Sequence, residues 1–167
     1  IHEDVTRYLL DHRRFDALEV IGGYWPHEYR DNLFQTAYYY QYCMGAGSLL
    51  PLMGCSDCHS TDSGLFTGLF YSIVFAEDNT FEAIAGAVRA GRSVAVKALP
   101  GQMPEAFGDF RYVRLCAFLF GRVFPGHDRI CEEEGEWMRQ AVFGRQESFD
   151  QLKEPSRRIL DYYDSLK

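Results

Sequence analysis

The sequence predicts an α/β fold followed by a helical extension, and two observations carry this prediction. Short apolar runs bounded by glycine or polar residues alternate with segments of helical periodicity over residues 1–98. Such alternation is typical of βα units built on a parallel sheet. After a connector at residues 99–108, the apolar residues of 109–167 recur at helical spacing. We therefore expect an α/β part, a connector and a C-terminal helical extension with these bounds.

The first predicted elements are a helix and a strand. Apolar residues fall at helical spacing within residues 3–13. Within residues 15–21, the residues from Ala17 to Ile21 are apolar around a single acid, Glu19, which is typical of a buried parallel strand. Because an unpaired buried charge is costly, Glu19 either points into a polar site or bonds to neighbouring backbone amides.

The segment from Gly22 to His27 is predicted to be a loop, since its glycines permit unusual backbone angles and Pro26 blocks a helix. His27 and the aromatic residues Tyr24 and Trp25 follow a strand end, where they can line a substrate pocket. For the two aromatic residues, the alternative is a lid over the core.

The middle of the chain continues the alternation. Asp31 or Asn32 can cap a helix that carries several tyrosines, which are more typical of packing and interfaces than of chemistry. The remaining predicted elements of this part are that helix to about residue 45, strands at 49–53, 71–76 and 93–98, and a helix from Asp78 or Asn79 to Ala90.

The connector at 99–108 contains two prolines and two glycines, and the pattern after it is helical. We expect one helix around residues 113–120, a second from Asp128 to about Val142, and a third over 146–166 that Pro155 breaks or kinks.

The segment from Met53 to Ser60, with the sequence MGCSDCHS, is the centre of the functional prediction. Asp57 and His59 are two residues apart, so in an extended segment both side chains leave the same face. A carboxylate and an imidazole at a strand end are plausible ligands of a divalent metal ion. The alternative is a turn whose Asp and Ser satisfy backbone groups.

Composition excludes several classes of function. The net charge is −7 and basic residues form no block, which argues against binding of duplex nucleic acid. No apolar run approaches the roughly 20 residues of a membrane span. The five cysteines are odd in number and scattered, which favours a reduced, cytoplasmic setting. Cys55 and Cys58 form a C-x-x-C, but a zinc site of that type needs a second pair.

The order of these features resembles the C-terminal portion of a polymerase-and-histidinol-phosphatase (PHP) domain. The resemblance consists of the run Ala17 to Val20, the aromatic helix, the segment from Gly54 to Ser60, the strand region from Thr67 to Ala76, and the run from Ala87 to Arg92. It covers about the first hundred residues. In that family, a strand end with the pattern Gly-x-Ser-Asp-x-His supplies the last two ligands of a multinuclear metal site.

The resemblance implies a distorted βα barrel with its site at the C-terminal ends of the strands, and metal-dependent hydrolysis of a phosphate ester. It implies Asp57 and His59 as metal ligands, and this donor pair suits Zn, Mn and Fe. Glu19 and His27 are candidates for contacting substrate or supporting the ligands only by their positions, near the end of a strand and in the loop after it, and His27 matches no motif of the family. The implied substrate is a phosphorylated small molecule or a nucleotide.

The departures from the family pattern are equally informative. The opening His-x-His motif is absent, and so are the intermediate Glu and His ligands. The chain also begins with Ile. Our hypothesis is that the chain is the C-terminal part of a larger enzyme, inactive without the N-terminal part of the same domain.

Two other interpretations remain open at this stage. The first is a non-catalytic scaffold that uses the tyrosine-rich helix or the helical extension for protein contacts, including self-association into a homo-oligomer. The second is a thiol or zinc protein based on Cys55 and Cys58.

Overall fold

The computed structural model describes residues 3–23, 28, 31–59, 68–152 and 155–167. The chain divides into two compact units, residues 1–116 and 117–167. The helices are α1 (Glu3–Asp11), α2 (Asp31–Ala46), α3 (Phe81–Arg89), α4 (Phe110–Phe118), α5 (Phe124–Val142), α6 (Gln146–Gln151) and α7 (Pro155–Asp164). The strands are β1 (Leu18–Gly22), β2 (Leu52–Cys55), β3 (Phe70–Val74), β4 (Ser93–Lys97) and β5 (Glu105–Phe107).

Strands β1 and β2 form a parallel pair, and α2 connects them. The pairing aligns Leu18 with Leu52 and Gly22 with Cys55, with an irregularity between Glu19 and Ile21. This βαβ unit confirms the predicted parallel arrangement for the first two strands, because a helical crossover is what lets consecutive strands run in the same direction.

Strands β3, β4 and β5 form an antiparallel sheet, so the expectation of parallel strands is wrong for this part. The chain leaves β3 and re-enters β4 at the same end of the sheet, where the Phe75 N–H donates to the Arg92 carbonyl at 2.9 Å. The short helix α3 lies within this connection and does not carry the chain back across the sheet. Strand β5 lies inside the predicted connector and extends the same sheet.

The two sheets meet through β2. The Ser93 hydroxyl donates to the Leu52 carbonyl at 2.6 Å, and Gly54 lies against Tyr71 and Ala95. The fold of the first unit is therefore mixed α/β, and among the described residues neither sheet closes into a barrel. The main core combines residues from α1, α2, both sheets and the segment before β2: Leu10, Val20, Ile21, Tyr39, Cys43, Leu50, Leu52, Phe70 and Ala95.

Helix α2 is fixed to β2 by a buried tyrosine. Tyr39 is 1 % exposed, and its hydroxyl donates to the Leu50 carbonyl at 2.6 Å. Burial is the largest cause that raises the pKa of Tyr39 far above its ordinary value. The phenol therefore stays neutral and keeps donating to the segment that leads into β2. At least one of the predicted tyrosines is thus a packing residue.

The second unit is helical, as the periodicity predicts, but the predicted start of a helix at Asp128 is wrong, because α5 already begins at Phe124. Leu119–Val123 form a turn of π-helix that runs directly into α5. Tyr162 of α7 packs over Gly126 of α5, and its hydroxyl donates to the Val123 carbonyl at 2.7 Å. Arg158 of α7 stacks its guanidinium over Trp137 at 4.6 Å. These contacts hold α7 against α5.

Candidate functional site

The C-terminal ends of three strands lie at one edge of the first unit. Gly22 at the end of β1 pairs with Cys55 at the end of β2. Strand β2 runs in the same direction as β4, since Leu52 bonds to Ser93 while Gly54 lies beside Ala95. In βα-type folds this edge is where ligands and catalytic residues gather.

Ser72 fixes the last part of β2 before the site. Its hydroxyl accepts from the Gly54 N–H at 3.0 Å and donates to the Gly54 carbonyl at 2.9 Å. The Ser72 hydroxyl thus satisfies both the N–H and the carbonyl group of Gly54, which among the described residues has no paired strand on that side of β2. Ser72 is not among the residues predicted from the sequence; its one signal is a small hydroxyl side chain in the middle of a strand of large apolar and aromatic residues.

Asp57 and His59 follow the end of β2 by two and four residues, and their side chains contact each other. Asp57 Oδ1 lies 3.0 Å from His59 Nε2. The expected extended backbone is wrong at Asp57, whose φ of +50° lies in the left-handed region that aspartate tolerates better than most residues. The side chains are 55 % and 74 % exposed, so the two groups form an open edge and not an enclosed pocket.

Glu19 reaches the same edge from β1. The irregularity in β1 after Glu19 sets the Glu19 side chain on the same side as Gly22. A methyl group added to Gly22 would overlap the Glu19 carboxylate and would lie 2.6 Å from the Cys55 carbonyl oxygen. Bulges of this kind commonly re-aim a side chain next to a functional site. Of the two alternatives for Glu19, the structure favours a position facing the polar edge.

The electrostatic environment of Glu19 is that of a carboxylate beside a second carboxylate. Glu19 is exposed as a residue, but partial desolvation of its carboxyl group, and then the negative charge of Asp57, raise the pKa of Glu19 above its ordinary value of 4.5. The negative charges of Glu19 and Asp57 repel each other, and a cation bound near them would relieve that repulsion.

This shift predicts how replacement of Glu19 changes stability with pH. A raised folded-state pKa means that ionisation of Glu19 weakens the metal-free fold as the pH rises from 4.5 through the folded value. At neutral pH we expect Glu19→Gln to unfold at a higher urea concentration than the parent chain. The difference should vanish at about pH 4, where the folded and unfolded states both protonate Glu19. Equal shifts at both pH values in urea titrations would contradict this account.

The donor set fits part of a metal site. A carboxylate oxygen and an imidazole nitrogen suit Zn, Mn and Fe. Asp57 Oδ1 and His59 Nε2 lie 3.0 Å apart in a hydrogen bond, so both atoms could hold one ion only after the shared proton leaves. In the part of the chain that the structure describes, no group of three or more His, Cys, Asp or Glu side chains is placed to hold an ion. The pair therefore fits as two ligands of a site that needs more.

Two further sequence predictions have different outcomes. His27, together with Tyr24 and Trp25, lies outside the described residues. Asn32 does not cap α2 from outside, because α2 begins at Asp31. Its Oδ1 instead accepts from the Gly22 N–H at 3.0 Å, which fixes the end of β1.

Comparisons of the chain with protein-family models, with curated proteins and with solved structures found no match. None of the helices in the described ranges has both the length and the apolar character needed to cross a membrane.

Proposed function

We propose that this chain is part of a metal-dependent phosphoesterase of PHP type. The observation that carries the proposal is the 3.0 Å approach of Asp57 Oδ1 and His59 Nε2 directly after β2, at the strand edge that Glu19 also faces. The parallel pair of β1 and β2 would belong to a distorted βα barrel that other strands complete.

Asp57 and His59 would hold a Zn, Mn or Fe ion. When bound, such an ion binds a phosphoryl oxygen, lowers the pKa of a bound water and stabilises developing negative charge. Asp57 contributes an anionic oxygen, and His59 contributes a neutral ring nitrogen. Glu19 adds negative potential, which favours the cation. No third ligand is grouped with this pair among the described residues. By the resemblance to the PHP family, the remaining ligands would come from the N-terminal part of the same domain.

The proposal predicts that a phosphate ester binds this chain only together with a metal ion. In saturation-transfer NMR, phenyl phosphate should receive magnetisation from the chain in the presence of Zn²⁺ and lose it when EDTA is added. Binding of metal and ester should be mutually reinforcing, as linkage requires. The matched control ligand is phenyl sulfate, which carries less charge and should give a much weaker signal.

Two outcomes would contradict the proposal. One is equal transfer to phenyl phosphate with Zn²⁺ and with EDTA. The other is a zinc-dependent signal that persists unchanged in Asp57→Asn, since the ion would then bind elsewhere.

A further inference from the structure

Helix α5 carries an imidazole, a carboxylate and a thiol on one side. His127, Asp128 and Cys131 occupy positions i, i+1 and i+4 of this helix, and these positions share one sector of a helix with 3.6 residues per turn. Two ligands four residues apart on one helix face are a recurring metal-binding pair, because both donor atoms reach the same point beside the helix. None of the three side chains has a role in the proposed function.

The two ring nitrogens of His127 have different neighbours. Nδ1 lies 3.0 Å from Asp128 Oδ1, and because an ionised carboxylate only accepts, Nδ1 carries a proton. In the neutral ring, Nε2 then keeps its lone pair. Nε2 is also the nitrogen nearer to the thiol, since Cys131 Sγ lies 3.6 Å from Nε2 and 3.9 Å from Nδ1. A carboxylate on the other ring nitrogen is the usual support of a metal-binding histidine.

The separation of the two donor atoms suits a tetrahedral zinc ion. Such an ion lies about 2.3 Å from a thiolate sulfur and about 2.0–2.1 Å from an imidazole nitrogen, which puts the two ligand atoms about 3.5 Å apart. Because Sγ is nearly as close to Nδ1 as to Nε2, it lies against the ring, and the His127 imidazole must turn to aim Nε2 at the ion. This side-chain torsion is broad in histidine. Binding also releases the thiol proton to solvent, since the thiolate is the ligand.

Both donors can be reached from solvent, and their surroundings are negative. Cys131 is exposed, and the His127 side chain is 30 % exposed. Partial burial of the thiol, and then the negative charges of Glu134 and Asp128, raise the pKa of Cys131 above its ordinary value of 9.0. The same charges attract a cation. Arg158 lies 3.9 Å from Glu134 and offsets part of that charge, but no such contact is found for Asp128 among the described residues.

The donor set selects a soft cation. Thiolate and imidazole ligands suit Zn²⁺ and Cd²⁺, whereas Mg²⁺, Ca²⁺ and Mn²⁺ prefer carboxylate and water oxygens. The described residues group no third His, Cys, Asp or Glu side chain with this pair. With two protein ligands, water takes the other two positions, and we expect a lower affinity than that of a closed structural zinc site.

We propose that His127 and Cys131 form a binding site for a thiophilic divalent cation of the zinc type, with Asp128 as the residue that orients His127. This site is independent of the proposed function, because it shares no residue with the strand edge of Asp57 and His59. Cd²⁺ is the probe that separates the two sites, since it prefers thiolate to carboxylate ligands.

The test titrates the full, reduced 167-residue chain with Cd²⁺ in a buffer without added thiol. Binding of a thiolate to Cd²⁺ produces an ultraviolet charge-transfer absorption, and we expect Cys131→Ser to remove the saturable absorption of this site. In ¹H–¹⁵N spectra of the same titration, the ring nitrogen Nε2 of His127 and the backbone amide of Cys131 should shift together and saturate. An excess of Mn²⁺ should not reverse these shifts.

Substitutions of the other two residues give a second readout. His127→Gln should weaken Cd²⁺ binding about tenfold or more, and Asp128→Asn about tenfold, the cost typical of losing a group that supports a ligand. Two matched controls make the same chemical changes elsewhere on the chain. Cys58→Ser and His12→Gln should both leave the Cd²⁺-induced shift of His127 unchanged. If a substitution on α5 prevents folding, the shifts of the parent chain alone still decide the question.

Three results would overturn the proposal. The first is a His127 ring whose nitrogens do not shift at saturating Cd²⁺. The second is a charge-transfer absorption that persists unchanged in Cys131→Ser, and the third is displacement of Cd²⁺ from His127 by equimolar Mn²⁺. Cd²⁺ binding at His127 together with a failure of phenyl phosphate and Zn²⁺ to bind would refute the proposed function alone, and the reverse result would refute this site alone.

Discussion

Gly54→Ala is expected to destabilise the first unit by at least about 2 kcal/mol, within the range for forcing an atom into a packed interior. A methyl group at this position would lie 2.7 Å from the Tyr71 carbonyl oxygen and 3.1 Å from the Ile21 side chain. The Tyr71 oxygen is backbone, so relief requires β3 to move away from β2. Such a movement also disturbs the hydrogen bonds of Ser72 to Gly54.

The measurement is a urea titration followed through the amide resonances of β4, whose residues Val94 and Val96 are fully buried in this unit. The matched control is Gly86→Ala in α3, where an added methyl group meets nothing within 4 Å. Alanine inside a helix is favoured over glycine by about 0.5–1 kcal/mol, so this variant should be as stable as the parent or slightly more so. Equal stabilities of the two variants would show that β2 does not pack against β3 as described.

Asp57→Asn and His59→Gln are each expected to lower the affinity for Mn²⁺ about tenfold or more, from a parent affinity that is itself weak because the described residues supply only part of the ligands. The affinity follows from the electron paramagnetic resonance signal of free Mn²⁺. Cys58→Ser should bind Mn²⁺ like the parent chain. Loss of binding with Cys58→Ser alone would favour the thiol interpretation.

The chain contains its own control for this experiment. His127 and Asp128 also form an Asp–His contact at 3.0 Å, but on helix α5 and not at a strand end. If proximity of the two side chains were sufficient, Asp128→Asn would cost as much Mn²⁺ affinity as Asp57→Asn. We expect a smaller loss with Asp128→Asn than with Asp57→Asn, although Cys131 Sγ lies 3.6 Å from His127 Nε2 and Glu134 adds negative charge at that place.

The sequence predicts the alternation of the first unit better than its strand directions. Apolar periodicity marks β3 and β4 but is the same for parallel and antiparallel neighbours, so the hairpin-like return around α3 is not encoded in it. The predicted strand at 49–53 forms at Leu52–Cys55 instead. Pro51 has no N–H to donate, so regular pairing begins after it, although its carbonyl still accepts from Leu18.

At the candidate site too, the sequence spacing predicts some features, and others become visible only from the contacts in the folded structure. The spacing of Asp57 and His59 predicts that their side chains lie close together. In the structure, however, the backbone at Asp57 is left-handed and not extended, and the sequence pattern does not indicate this conformation. Their role as metal ligands stays a prediction. Asn32 is a residue type that commonly caps helices, and only the fold shows that its side-chain oxygen accepts from the Gly22 N–H while its amide nitrogen is buried with no partner among the described residues.

The most direct test of the metal site is a map of Mn²⁺-induced line broadening over the amide resonances of the chain. The account predicts that the first resonances to disappear at substoichiometric Mn²⁺ are those of residues 19–22 and 55–59. Broadening that begins instead at the glutamates of α5, or that spreads evenly over the acidic surface while Asp57 and His59 stay sharp, would contradict it.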